Sequence, residues 1–197
     1  MLDCGGGTMK RTWFKGSCIS EQEVRLSNAM RLTWEQHVYW TRMTINSIAF
    51  NLPDLDAVTA RLLRNATDMG NLLAPFYGNR IAERFSNLIR NHLVIAAELV
   101  QAAKAGNQNA VADAEKRWYA NGAEISKFLS TINPFISEIK FREMFFEHLE
   151  LTIQEALFIL QSNFNASINV FDKIEANALE MADTLTIAIV KQFPRRF

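Results

Sequence analysis

Apolar residues recur every three or four positions along most of this chain, from about Glu21 to about Phe193. Around His92, for example, apolar residues stand at −4, −3, +4, +7 and +8, which places them on one face of an α-helix. No segment shows the alternation of apolar and polar residues that is typical of a half-buried strand. The pattern therefore predicts an all-α protein.

Five short breaks interrupt this periodicity, at 51–54, 74–79, 106–107, 132–134 and 162–165. They contain Gly, Pro, Asn, Asp and Ser, which end or cap helices, and Asp54 is expected to cap the second helix. The predicted helices span about 22–50, 54–74, 79–105, 108–131, 137–161 and 165–192. We predict one six-helix bundle domain, 21–197, built from three tandem antiparallel helical hairpins (about 22–74, 79–131 and 137–192) after a flexible N-terminal arm, 1–20.

The histidines are spaced almost evenly, 55 and then 56 residues apart. Each is followed 28 or 29 residues later by an asparagine, and three residues after that by an acid. This regularity predicts an internal repeat of about 55 residues. The histidines are His37, His92 and His148, the asparagines are Asn65, Asn121 and Asn177, and the acids are Asp68, Glu124 and Glu180.

The midpoint of each His–Asn interval falls in a predicted break. In an antiparallel hairpin, residues equidistant from the turn lie level, so each histidine is expected beside its own asparagine, about 20 Å from the hairpin tip. Both also fall on or beside the apolar stripe. Three hairpins around a pseudo-threefold axis would bring the three histidine levels together, whereas two hairpins could equally form a four-helix bundle with the third packed outside.

Such a constellation predicts a metal- or small-ligand-binding site inside a helical bundle, and it is typical of a metal site because imidazoles and carboxylates are the usual ligands there. The asparagines would contribute to the site indirectly, by hydrogen bonds that orient the ligands. A divalent transition metal such as Zn, Fe or Mn is the expected cofactor. The ferritin-like Glu-x-x-His signature and the His-Glu-x-x-His motif are both missing from the sequence. The candidate ligands are His37, His92, His148, Asp68, Glu124 and Glu180.

Two other interpretations fit the same residues. Each histidine could pair with its own asparagine or acid and specify packing only, in a non-catalytic structural or interaction bundle. One histidine could instead act as a general base, but no nucleophile motif stands near it. The three units also resemble each other equally, whereas catalysis usually requires an asymmetric set of roles. The sequence predicts no catalytic residue.

Composition narrows the classes of partner. Lys+Arg and Asp+Glu are equal at 21 each, which disfavours a nucleic-acid binder. No uninterrupted apolar stretch reaches the length of a membrane span and no secretory signal precedes the helices, so we expect a cytoplasmic protein. Cys4 and Cys18 lack metal-finger spacing. Aromatic residues cover more than one side of the first helix, which allows self-association into a homo-oligomer.

Several short segments carry a family resemblance, among them Trp34–Arg42, Arg61–Asn65, Pro75–Gly78, Glu115–Asn121 and Lys191–Pro194. Over about residues 25–194 the chain resembles an uncharacterised family of small all-helical proteins from spore-forming bacteria. Some members carry the label acetylglutamate kinase. A kinase of that class requires a Gly-rich nucleotide-binding α/β sheet, whereas this pattern predicts six helices. The resemblance therefore implies the all-helical fold and no mechanism.

Overall fold

The computed structural model describes residues 19–197. The two cysteines and nearly all of the predicted arm lie outside the described residues. The helices are α1 (Glu21–Phe50), α2 (Leu55–Tyr77), α3 (Asn79–Lys104), α4 (Gln108–Ile132), α5 (Glu138–Leu160) and α6 (Phe164–Gln192), followed by one 3-10 turn, Pro194–Arg196. Residues 19–197 contain no strand, so the all-α prediction is confirmed.

Polar residues directly before the first turn start most of these helices. The side chains of Ser20, Asn107, Ser137 and Asn163 each accept a hydrogen bond from a backbone N–H in the first turn of the helix that follows. These bonds satisfy donors that have no partner within the helix. Gly106 ends the second hairpin's first helix with a φ of 69°, a conformation that suits glycine.

Two details of the second helix differ from the prediction. It continues to Tyr77, with Pro75 inside it, and stops at Gly78, where φ is 81°. Pro75 removes one hydrogen bond, but so close to the C-terminus few turns depend on it. Asp54 does not cap the helix, because its carboxylate instead accepts a hydrogen bond from the Ser47 hydroxyl at 2.8 Å.

The helices form two concentric layers. Helices α1, α3 and α5 contact one another in the centre. Each outer helix packs against two of them: α2 against α1 and α3, α4 against α3 and α5, and α6 against α5 and α1. This is the threefold arrangement, and not a four-helix bundle with one hairpin outside. Since short turns reverse the chain each time, the three central helices run in the same direction.

The core follows from this layering. Its main cluster fills the space between the layers over most of their length. A smaller cluster, of Ile45, Ile48, Val100, Ala156 and Ile159, lies toward the C-terminal ends of the three central helices. No helix in the described part of the chain has the length and apolar character to cross a membrane.

Candidate metal centre

The three histidine side chains meet in the interior of the bundle. His37, His92 and His148 lie on the three central helices and keep only 4%, 2% and 3% of their accessible surface. The ring centroid of His37 is 6.2 Å from that of His92 and 5.7 Å from that of His148. One potential ligand atom from each ring lies within 4.8 Å of the others. The regular spacing in the sequence thus becomes a single triad.

Aromatic side chains hold the rings in place. Trp118 of α4 stacks on His92 with ring centroids 5.1 Å apart, and its indole N–H donates to the His92 carbonyl at 3.0 Å. Phe145 of α5 presents an edge-on contact to His92 at 5.1 Å. Trp34 packs edge-on against His37 at 6.3 Å. These large rings fix the imidazole positions and exclude water from one side of them.

The same hydrogen bond recurs beside each histidine. Each asparagine of the outer helices donates its side-chain N–H to the backbone carbonyl four residues before the histidine of its own hairpin. These level pairings agree with the expected hairpin geometry, although they do not by themselves establish a sequence repeat. The three bonds run from Asn65 to Thr33 at 3.0 Å, from Asn121 to Leu88 at 3.2 Å and from Asn177 to Met144 at 3.2 Å.

The other polar side-chain atoms of these histidines and asparagines lack hydrogen-bond partners. All three histidine Nδ1 atoms and all three asparagine Oδ1 atoms are completely buried, and none completes a hydrogen bond of normal geometry. Asn65 and Asn121 nevertheless lie close enough to favour the protonated forms of His37 and His92. Buried polar atoms without partners are uncommon, and a set of six around one point calls for a physical explanation.

Burial keeps the three rings neutral. Desolvation lowers the pKa of His37 to about 4, offset in part by Asn65. Desolvation likewise lowers the pKa of His148 to about 3, with a further contribution from the charge of His37. The pKa of His92 falls well below its usual value through burial and through repulsion by the other two rings. Neutral imidazole is the form that binds metals.

The acids that the sequence suggested as ligands do not reach the triad. Asp68 is partly exposed and pairs with Arg64 at 3.4 Å and with Arg61 at 3.8 Å. Glu124 and Glu180 are exposed. Three residues advance a helix by about 300°, which leaves each acid about 60° around the helix from the inward direction of its asparagine. Among residues 19–197, the triad consists of histidines and no carboxylate joins it.

Sequence reasoning missed a second buried polar group. Glu155 of α5 keeps 1% of its accessible surface and forms an ion pair with Arg42 of α1. Arg42 also donates to the Ser167 carbonyl and hydroxyl, both at 3.3 Å. Desolvation raises the pKa of Glu155 to about 7, against the opposing effect of Arg42. The available signal was a carboxylate seven residues after His148, on the same apolar stripe.

Comparison of the chain with family models, with curated proteins and with solved structures gave no match. The site is therefore interpreted from its own chemistry. The protein is an all-helical bundle with a buried triad of neutral imidazoles that could hold a metal ion.

Proposed function

We propose that this protein binds a transition-metal ion through His37, His92 and His148. The observation that carries the proposal is the convergence of three neutral, buried imidazoles whose potential ligand atoms lie within 4.8 Å of one another. Three buried imidazoles lower the stability of a core, because each ring leaves a desolvated nitrogen without a hydrogen-bond partner. A bound cation would coordinate one nitrogen of each ring at once.

The three nitrogens need to move only a little to bind an ion. Three atoms at most 4.8 Å apart can lie no more than about 2.8 Å from a common centre, whereas a Zn–N bond is about 2.0–2.1 Å long. Each nitrogen would therefore move inward by at most about 0.7 Å, which a small rotation of the ring supplies. Asn65 beside His37 and Asn121 beside His92 can accept a proton from Nδ1 through their side-chain oxygens, and this tautomer leaves Nε2 of those rings free for the ion.

The ligand set narrows the choice of metal. Imidazoles suit Zn, Fe, Cu and Ni, whereas Mn is better served by carboxylates and water. Because Asp68, Glu124 and Glu180 lie outside the triad, Mn becomes the weakest of the expected ions. Three neutral ligands leave the charge of the ion uncompensated, so an anion or a polar molecule is expected to complete its coordination.

Metal titration of the purified, metal-free protein tests this proposal. We expect one Zn²⁺ per chain by calorimetry and elemental analysis. A free concentration of 100 times Kd should raise the free energy of unfolding by about 2.7 kcal/mol. His148→Leu should weaken binding by more than about 100-fold, because it removes a ligand and keeps an apolar side chain of similar volume.

The matched control is Thr186→Val, which also removes a buried polar group but lies on α6 and bonds to its own helix. This variant should bind Zn²⁺ as the natural protein does. If Zn²⁺, Fe²⁺, Cu²⁺ and Ni²⁺ all fail to bind or to change the unfolding transition, the proposal is wrong.

One observation favours a purely structural role instead. The three asparagine N–H bonds already hold each hairpin in register, and they require no metal. A metal-free triple variant, His37→Leu, His92→Leu and His148→Leu, separates the two functions. If the rings serve packing, stability should fall by about 1–3 kcal/mol per ring. If they serve a metal, the metal-free variant should be at least as stable as the natural protein, because three desolvated polar rings are replaced by apolar side chains.

A further inference from the structure

A small cavity adjoins the histidine triad on the C-terminal side of the three central helices. Its volume is about 20 Å³. The residues four positions after each histidine all line it, namely Thr41, Ala96 and Thr152. Trp118, which stacks on His92, lines it as well. Four residues correspond to about 6 Å along a helix, so the residues that line the cavity lie about one turn from the rings.

The lining of the cavity is chemically uniform. Apart from three threonine hydroxyls and the Trp118 side chain, it consists of aliphatic side chains from α1, α2, α3 and α5. The hydroxyls of Thr41, Thr44 and Thr152 each donate to a carbonyl of their own helix, at 2.8, 2.9 and 2.8 Å. The Trp118 N–H is likewise used.

These side chains therefore offer the cavity acceptors and no free donor. About 10–15 Å³ suffices for one water, but a buried water usually needs two to four polar partners. Apolar cavities stay dry and bind apolar guests. The space is large enough for a small molecule, and its mostly aliphatic lining suits an apolar one better.

We propose that this cavity takes up an uncharged diatomic molecule, of the size and polarity of dioxygen or nitric oxide, and delivers it to an Fe²⁺ ion held by the triad. The delivery part rests on the proposed function, whereas uptake by the cavity does not. Three imidazoles leave coordination positions open on an ion, and the cavity lies about one helical turn from the rings, joined to them by Trp118, which lines the cavity and stacks on His92. Binding is reversible coordination, with no net oxidation or reduction.

Xenon-pressurised crystals of the metal-free protein test the uptake. We expect one xenon atom in the cavity of the natural protein and none in Ala96→Leu, which fills it. The control is Ala102→Leu, the same change at a half-buried position on the same helix that does not line the cavity. Should Ala96→Leu fail to fold, Leu99→Ala enlarges the cavity and should raise xenon occupancy. Absence of xenon from the natural protein, or its retention in Ala96→Leu, would overturn the proposal.

Nitric oxide added to the Fe²⁺-loaded protein under anaerobic conditions tests the delivery. The iron–nitrosyl signal in electron paramagnetic resonance should appear in the natural protein and in Ala102→Leu. In Ala96→Leu, with the iron content unchanged, nitric oxide affinity should fall at least about tenfold, because the added side chain occupies the space. An unchanged affinity in Ala96→Leu would overturn delivery. A protein that takes up xenon but no metal would instead reject the proposed function and retain the apolar site.

Discussion

The two sides of the histidine layer are packed very differently. Toward the helix N-termini, the positions seven and three residues before each histidine carry large side chains, all buried to 3% or less of their accessible surface. Toward the C-termini, the positions four residues after each histidine carry Thr or Ala, and a cavity follows. The large residues are Met30, Phe85 and Phe141, then Trp34, Ile89 and Phe145.

This asymmetry shows how one layer of a core can exclude water on one side and leave room for a small molecule on the other. The large side chains exclude water and keep the imidazoles neutral, whereas the small ones leave room for a guest beside the same rings. Elsewhere in the bundle, the large residues of the outer helices fill the grooves between the central helices. A core selected for stability alone would not leave a void next to three buried bases, since voids cost stability.

Acid should have the largest effect on the sealed layer. An unfolded histidine has a pKa near 6.5, and burial depresses the folded value to about 4 for His37 and about 3 for His148. Their contribution to stability is therefore complete above pH 6.5 and is lost as the pH falls toward those values. A pKa shift of one unit corresponds to about 1.4 kcal/mol, so protonation of His37 alone should lower the free energy of unfolding by on the order of 3 kcal/mol. Urea unfolding of metal-free protein between pH 7.5 and 4 measures this loss.

Glu155 acts in the opposite sense. Its folded pKa is raised to about 7, so its protonation favours the folded state as the pH falls below that value. The triple His→Leu variant isolates this contribution and should become more stable over the same range. If the natural protein showed no greater acid sensitivity than this variant, the rings would not be sealed from water.

Breaking the ion pair between Arg42 and Glu155, on the cavity side, should have the next largest effect on stability. Arg42→Met leaves the Glu155 carboxylate buried without its partner. A fully buried pair costs about 3–5 kcal/mol to break, and we expect about 2–3 kcal/mol here because 21% of the Arg42 side chain is exposed. Adding Glu155→Leu should recover most of the loss. If the double variant were as unstable as Arg42→Met, the loss would come from arginine packing and not from the unpaired charge.

Two identical substitutions compare the two sides directly. Ile89 lies on the filled side and Ile45 lines the cavity, and both keep 3% or less of their accessible surface. Ile→Val costs about 0.5–1.5 kcal/mol in a core, and we expect the upper value for Ile89→Val and the lower for Ile45→Val. The reason is that Ile45 already lacks contact atoms on its cavity side. Equal costs, by denaturant unfolding, would mean that the two sides are packed alike.

The smallest effect is expected from the surface acids. A combined variant, Asp68→Asn, Glu124→Gln and Glu180→Gln, should change Zn²⁺ affinity by less than about twofold, because exposed charges act weakly through solvent. Calorimetric titration measures it beside His148→Leu. A loss as large as that of His148→Leu would show that the carboxylates reach the ion after all.

How much of the site was predictable depends on the residue. His37, His92 and His148 could be assigned to buried helix faces from their apolar neighbours alone, and their level with Asn65 and the other asparagines followed from equal distances to the turns. The acids were misplaced because a three-residue step was taken as nearly the same face. The internal repeat, self-association and any family membership stay predictions.

The sequence by itself determined the elements of this protein: six amphipathic helices, their short breaks, and the height of each histidine above its turn. These are local properties, set by helical periodicity and by capping residues. Which helices occupy the centre was decided only when all six packed together. That choice depends on long-range burial of apolar surface, which periodicity does not encode. It alone turned three distant histidines into one triad and left a void beside it.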